Sequence, residues 1–445
     1  MLNLYAQLCY IEGVRRWYYK FIFKGDDCGM YKQIIGKRDL LEKTSDYPFI
    51  VVHGFLGYGE ETLFSKVFPY FGFRPDRNVI KAARKAGFEV YQPSVGPFNS
   101  MWDRACELYA QIIGGTVDYG KVHSEKFGHK RYGHTYDKPL VPDWGKLDAE
   151  GKIKKINLIG HSFGSPTTRT LIELLYNGSE EERAGTPENE LSDLFKGGKT
   201  NWVHSCTLLA GCNGVSLAVQ FTETPNACRR TLTAGAALFQ AIGNTPFIKI
   251  YDFKMPHWGI TDPDYKGGLK GMKWNLNSEN WKLAKNFINA QEDNIAYELG
   301  WPTYKRMTEG YSPKPNIYYF TYSGDTTMPI EGSKERRAIP GTFKPMALFA
   351  NMEGKYTNPA LGIPDETWFR NDGLVNTIVA PHPPGEPFKD WTGEDCIEPG
   401  IWIQFPVEQK HHMSYMGVGE PVFSYYTFFF EIMKRACSLP TIDME

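Results

Sequence analysis

The chain has 445 residues, is 42% hydrophobic and 15% aromatic, and carries 50 Lys+Arg against 51 Asp+Glu for a net charge of −1. That length supports a large core, as one catalytic domain with insertions or as two domains. The near-neutral balance excludes a nucleic-acid footprint and a strong electrostatic pull toward anionic membranes.

Residues 1–46 read as an N-terminal extension, partly helical. Leu2, Leu4 and Leu8 are followed too soon by Glu12, Arg15 and Arg16 for an apolar leader core, so no signal peptide is evident. Residues 49–52 form a continuous apolar run, which predicts a buried strand. A glycine-rich turn follows, His53-Gly54-Phe55-Leu56-Gly57-Tyr58-Gly59. Residues 77–86 read as a helix and 88–91 as a strand. Residues 101–150 show little apolar periodicity and read as an insertion. Buried strands are expected at 155–159 and 206–210, and a helix at 166–177, where Leu171, Leu174 and Leu175 recur at helical spacing. Residues 216–310 read as a second insertion, rich in tryptophan. Strands at 316–322 and 401–405 complete the set, and the aromatic run 423–430 reads as a core helix, too short to span a membrane. Strands alternating with helices predict a mostly parallel sheet covered on both faces. The eight cysteines form no C-x-x-C pair, which indicates neither a disulfide framework nor a thiolate metal site.

Between the strand at 155–159 and the helix at 166–177 lies Gly160-His161-Ser162-Phe163-Gly164. Strand, G-x-S-x-G, helix is the setting in which a serine sits on a strained turn with its hydroxyl exposed, as in the α/β-hydrolase fold. A hydroxyl needs an imidazole to take its proton, and the imidazole needs a carboxylate to fix its tautomer. In this fold they follow in the order Ser, acid, His. His382, His411 and His412 lie well downstream; His411 and His412 follow the last strand, and spacing does not separate them. Asp325, directly after the strand at 316–322, and Asp372, in Asn371-Asp372-Gly373, both remain candidates for the acid. The oxyanion would be held by backbone N–H groups, one from Phe163 and one from Phe55 in the glycine-rich turn. In the first insertion Asp103, His123 and His129 suit a tetrahedral zinc ion, although scattered polar residues of this kind usually face solvent.

Several stretches together resemble the large secreted Bacillus/Geobacillus-type thermoalkalophilic lipases. They include Val95-Gly96-Pro97, Trp102-Asp103-Arg104-Ala105, residues 114–120, Gly128-His129, Tyr251-Asp252-Phe253-Lys254 and Asn371-Asp372-Gly373-Leu374-Val375-Asn376-Thr377. The resemblance runs from about residue 47 to about 420. It implies Asp372 as the acid and His412 as the base. It also implies a closed structural zinc site of Asp103, His123, His129 and Asp293, the last being its weakest alignment. The positions of the family's acidic calcium ligands carry Ser414 and Gly419, so that calcium site is expected to be absent.

The expectation is therefore one α/β-hydrolase domain over 1–445, with a zinc-binding insertion at 101–150 and a lid or helical insertion at 216–310. Leu217, Val219, Phe221, Leu232 and Phe239 belong to the expected flap at 216–250. The resemblance implies a secreted lipase that cleaves acylglycerol esters at a lipid–water interface through an acyl-enzyme, and a monomer is expected. The alternatives are a carboxylesterase for short soluble esters, a non-catalytic binding protein on the same fold, and a hydrolase using zinc directly.

Overall fold

The computed structural model describes residues 45–214, 234–235, 250–261, 278–290, 292–361, 363 and 365–444. The expected N-terminal helix and nearly all of the expected flap lie outside these residues.

Among the described residues the strands are β1 (Phe49–Val52), β2 (Val90–Tyr91), β3 (Gly115–Asp118), β4 (Tyr132–Tyr136), β5 (Ile156–His161), β6 (Val203–Leu209), β7 (Tyr318–Tyr322), β8 (Thr327–Pro329), β9 (Arg336–Ala338), β10 (Phe388–Asp390) and β11 (Trp402–Gln404). Seven of them form one sheet in the order β10-β11-β7-β6-β5-β1-β2. Every pairing in it is parallel. The strands β3 and β4 form a separate hairpin, as do β8 and β9. The helices that matter here are α1 (Val79–Lys85), α2 (Met101–Ile113), α3 (Lys121–Phe127), α4 (Gly164–Asn177), α5 (Lys344–Glu353) and α6 (Val422–Ser438).

All residues of β1, β5, β6 and β7 are buried, as a parallel sheet covered on both faces requires. Successive side chains of a strand point to opposite faces. Phe49 and Val51 therefore join a core with Val79 and Ile80 of α1 and Phe429 and Met433 of α6. Ile50 and Val52 join the opposite core, with Leu108 and Ile112 of α2 and Leu171 and Leu175 of α4.

The strand expected at 88–91 is confined to Val90–Tyr91 at the sheet edge. Strand β10 was not expected; all three of its residues are exposed, so it lacks an apolar signal. The larger difference is α2. The insertion at 101–150 shows little apolar periodicity, yet its residues 101–113 form a 13-residue helix buried along most of its length. Asp103, Arg104, Glu107 and Gln111 are buried there beside Ala105, Leu108 and Ile112, and these polar residues mask the apolar period.

In the sheet, Val52 of β1 is level with Gly160 of β5, and His161 is level with Leu209 of β6. The loops that follow β1, β5 and β6 thus emerge side by side at the carboxyl edge, where ligands bind in open parallel sheets. Leu158 is fully buried at the centre of the sheet. Leu158→Ala is expected to lower unfolding free energy by about 2–5 kcal/mol, measured by urea denaturation; a loss below about 1 kcal/mol would contradict this packing.

Candidate active site

Ser162 leaves β5 with φ 56°, in the left-handed region that a side chain rarely enters. Its N–H donates to Leu209 O at 2.9 Å, and its carbonyl accepts from Ser165 N–H at 3.0 Å, which opens α4. The flanking glycines are steric necessities. A β-carbon on Gly160 would lie 2.6 Å from Gly164 O, and one on Gly164 would lie 2.3 Å from Val52 O. Ser162 is buried, and its hydroxyl rests 3.7 Å from Cys212 Sγ. Burial pushes the Cys212 thiol up to about 12, so it stays protonated.

The loop after β1 is pressed against this turn. A β-carbon on Gly54 would meet Ser162 Cβ at 2.5 Å and Oγ at 2.9 Å. Among the described residues neither the Phe55 nor the Phe163 N–H donates to another group. Arg104 of α2 holds the loop from behind. It is fully buried and donates to His53 O, to Gly96 O at 2.7 Å and to Thr167 Oγ1 at 2.8 Å. Burial lowers its pKa to about 10, against the pull of Glu107, and it remains a cation. His53 is neutral; burial, then the nearby Arg104 charge, lower it to about 3.

His412 Nδ1 lies 2.8 Å from Asp372 Oδ2, and the His412 N–H donates to Asp372 O at 2.8 Å. The other carboxylate oxygen, Oδ1, accepts from Leu374 N–H at 2.9 Å and Val375 N–H at 2.8 Å. Both side chains are buried. A carboxylate on Nδ1–H leaves Nε2 as the free base of the imidazole. The His412 ring packs 4.9 Å from that of His161, the neighbour of Ser162.

The competing candidates lie elsewhere. Asp325 accepts from Thr327 N–H at 2.8 Å and Oγ1 at 2.6 Å, and from Arg370 Nε at 2.7 Å. It braces the loop that carries Asp372. His411 is neutral, lowered to about 4 by burial, with its ring beside Phe343. His382 stacks on Phe388 at 3.9 Å.

A second cluster gathers Asp103 of α2, His123 of α3, His129 and Asp293, with one ligand atom from each lying within 4.8 Å of the others. His123 Nε2 is 3.3 Å from Asp103 Oδ1 and 3.1 Å from Asp293 Oδ1; His129 Nε2 is 3.4 Å from Asp293 Oδ2. Asp103 Oδ1, His123 Nε2, His129 Nε2 and Asp293 Oδ2 are all buried without a hydrogen-bond partner. Four converging lone-pair atoms from two imidazoles and two carboxylates fit a tetrahedral cation. The remaining atoms are held by neighbours. His257 Nε2 lies 2.9 Å from Asp103 Oδ2, Ser100 Oγ donates to Asp293 Oδ1 at 2.6 Å, and His129 Nδ1 lies 2.8 Å from Lys130 O. Such outer partners orient metal ligands. Burial opposes charge on His123, but Asp293 and Asp103 more than offset it and raise the imidazole to about 10. Burial likewise opposes the charge on Asp103, and the facing histidines hold it below the usual carboxylate range.

The sequence reading did not single out Ser100, Arg104, His257, Tyr70 or His161. Arg104 sits inside the Trp-Asp-Arg-Ala segment, which was the one signal available for it. His257 follows the Tyr-Asp-Phe-Lys segment by three residues.

A seven-stranded parallel sheet with helices on both faces, delivering a serine on a left-handed turn after the interior strand β5, is an α/β-hydrolase fold. The chain belongs to the lipase-like family: residues 45–424 match the family model described as "Lipase-like, C-terminal domain". It is 34% identical over 387 residues to Lipase 2 of Staphylococcus aureus, covering 86% of this chain and 52% of that protein. It is 32% identical over 373 residues to Lipase 1 of Staphylococcus aureus (strain MRSA252), covering 83% of this chain and 50% of that one. The chain thus spans about half the length of the curated relatives it matches. Among solved structures it is similar to Staphylococcus hyicus lipase, with a TM-score of 0.73 and 30% identity over 88% of this chain and 97% of that one. Lipase 1 from Pelosinus fermentans gives 0.69 and 34%, over 88% and 99%. EstA from Clostridium botulinum gives 0.72 and 31%, over 90% of each chain.

Without a cation, two buried carboxylates would face each other across the cluster. Chelation of a cation held there is therefore expected to lower the melting temperature and speed amide exchange at residues 121–130 and 292–298. A ligand held at about 1,000 times its Kd contributes about 4 kcal/mol of stability. Equal melting curves before and after chelation, with metal analysis verifying removal, would contradict this.

Proposed function

We propose that the chain is a serine carboxylic-ester hydrolase of the lipase type, acting on acylglycerols at a lipid–water interface. The observation that supports it most is the buried Asp372–His412 pair, 2.8 Å apart, beside a serine on a strained turn. In this reading the Ser162 hydroxyl attacks the ester carbonyl carbon while His412 Nε2 takes its proton. The carbonyl oxygen becomes an oxyanion and accepts from the Phe55 and Phe163 N–H groups. His412 then returns the proton to the departing alcohol, leaving an acyl-Ser162. Water, deprotonated by His412, releases the acid in a second passage through the same geometry. Asp372 stays ionised, holding the imidazole in its Nδ1–H tautomer and stabilising the cation. Each oxyanion donor is worth about 3–4 kcal/mol of barrier in comparable sites.

Asp103, His123, His129 and Asp293 would hold a zinc ion. Zinc would supply a structural cross-link, since four protein ligands leave no open position for chemistry. The finer affiliation, with the thermoalkalophilic Bacillus/Geobacillus-type lipases and their secretion, is supported by the Trp-Asp-Arg-Ala and Asn-Asp-Gly segments. The same proposal includes a monomer, one hydrolase domain with two insertions, and loss of the family's calcium site at Ser414 and Gly419. No helix among the described residues is long and apolar enough to cross a membrane.

A fluorophosphonate probe should label the protein at Ser162, and Ser162→Ala should abolish labelling and lower kcat by about a million-fold. Asp372→Asn should lower kcat by about ten-thousand-fold. Labelling that persists in Ser162→Ala would refute the reading. Turnover of soluble short esters with none of emulsified long-chain glycerides would narrow it to a carboxylesterase.

A further inference from the structure

We propose that Tyr70 and His161 are positioning residues that lock the oxyanion loop and the backbone of His412 into one rigid unit. The inference rests on the catalytic roles given above to Ser162, His412 and Phe55. Neither residue touches the reacting atoms; both act through groups that do.

Five polar atoms form a chain, two of them on the His161 ring. Gly54 N–H donates to the Tyr70 hydroxyl at 3.0 Å. The Tyr70 hydroxyl lies 2.8 Å from His161 Nδ1. His161 Nε2 lies 3.2 Å from His412 O. All of these residues are buried. The chain spans 91 residues from Tyr70 to His161 and 251 from His161 to His412.

The direction of each bond follows from the donor inventory. A backbone carbonyl only accepts, so His161 Nε2 carries the proton that faces His412 O. Burial, then the adjacent His412 imidazole, hold His161 well below its ordinary pKa, so the ring has a single proton. Nδ1 is therefore bare and accepts from the Tyr70 O–H. Burial keeps that phenol protonated, and its oxygen takes the Gly54 N–H. Every member is used once, and no alternative tautomer satisfies the same partners.

Both ends are mechanistic. Gly54 O accepts from Gly57 N–H at 3.1 Å, and His53 Nδ1 lies 2.9 Å from it. With Gly54 N fixed by Tyr70 and Gly54 O fixed by that turn, the Gly54–Phe55 peptide plane is set. In a trans peptide the Phe55 N–H points opposite to Gly54 O. At the far end, the His412 peptide is gripped through its N–H by Asp372 O and through its carbonyl by His161. Misplacing a reacting group by about 1 Å can lower a rate by about a hundred-fold.

Tyr70→Phe removes one oxygen and keeps the ring that packs against His53 and His161. His161→Gln offers an N–H to His412 O but no ring. Active serines are counted by titration with a fluorophosphonate, and kcat is expressed per titrated serine. Tyr70→Phe is expected to lower kcat per serine by about ten-fold or more, with KM within about two-fold. His161→Leu should fall further than His161→Gln. Should Tyr70→Phe leave kcat per serine unchanged, or act only through the melting temperature and the number of titratable sites, the proposal is overturned. Wild-type protein with no titratable serine would instead sink the catalytic reading beneath it. If His161→Leu fails to fold, the Tyr70→Phe result decides alone.

Discussion

The whole arrangement depends on a close approach between backbones. Strands β1 and β5 run parallel with Val52 level with Gly160. Their loops can interlock only because three positions lack side chains. Gly164 sits under Val52 O, Gly160 under Gly164, and Gly54 against the Ser162 side chain. A methyl group at any of the three would force strands, helix and loop apart. Paired strands lie about 4.8 Å apart, so this register places the loop after β1 directly beside the serine turn. Residue 162 bears the strain, with φ 56°. The sheet and α4 on either side hold it there.

The first turn of α2 joins this site to the buried Asp/His cluster. Trp102 stacks on the His123 ring at 5.0 Å and on Phe195 at 5.3 Å. Asp103 faces the cluster, and Arg104 turns the other way to hold His53 O and Gly96 O. Arg104 also lies 5.4 Å over the Phe163 ring. Three consecutive residues thus link the cluster, the helix, the loop after β1 and the Phe163 ring. Ser100 caps the same helix, accepting from Asp103 N–H at 3.1 Å while donating to Asp293. Order in the cluster and order in the loop after β1 therefore share one rigid element.

How much of this was legible in the sequence differs by element. The buried strands and the serine turn were legible because their signals are local: a short stretch dominated by apolar residues, or two glycines flanking a serine. The choice between Asp325 and Asp372, and between His411 and His412, was not. Both aspartates occupy turn sequences and both histidines follow the last strand. Only their distant partners differ, Arg370 for one aspartate and His412 for the other. Motif resemblance pointed to Asp372, His412 and Asp293, where composition and spacing could not. Helix α2 escaped the periodicity reading because buried Asp103, Arg104, Glu107 and Gln111 interrupt its apolar stripe. Tyr70 and His161 carry no local mark; their contact is made by the fold alone.

The structure of the phosphonylated protein tests the account most directly. It predicts a covalent bond to Ser162 Oγ with the phosphoryl oxygen about 2.7–3.1 Å from both the Phe55 and Phe163 nitrogens. A phosphoryl oxygen turned to solvent, or adduct formation on another side chain, would contradict it.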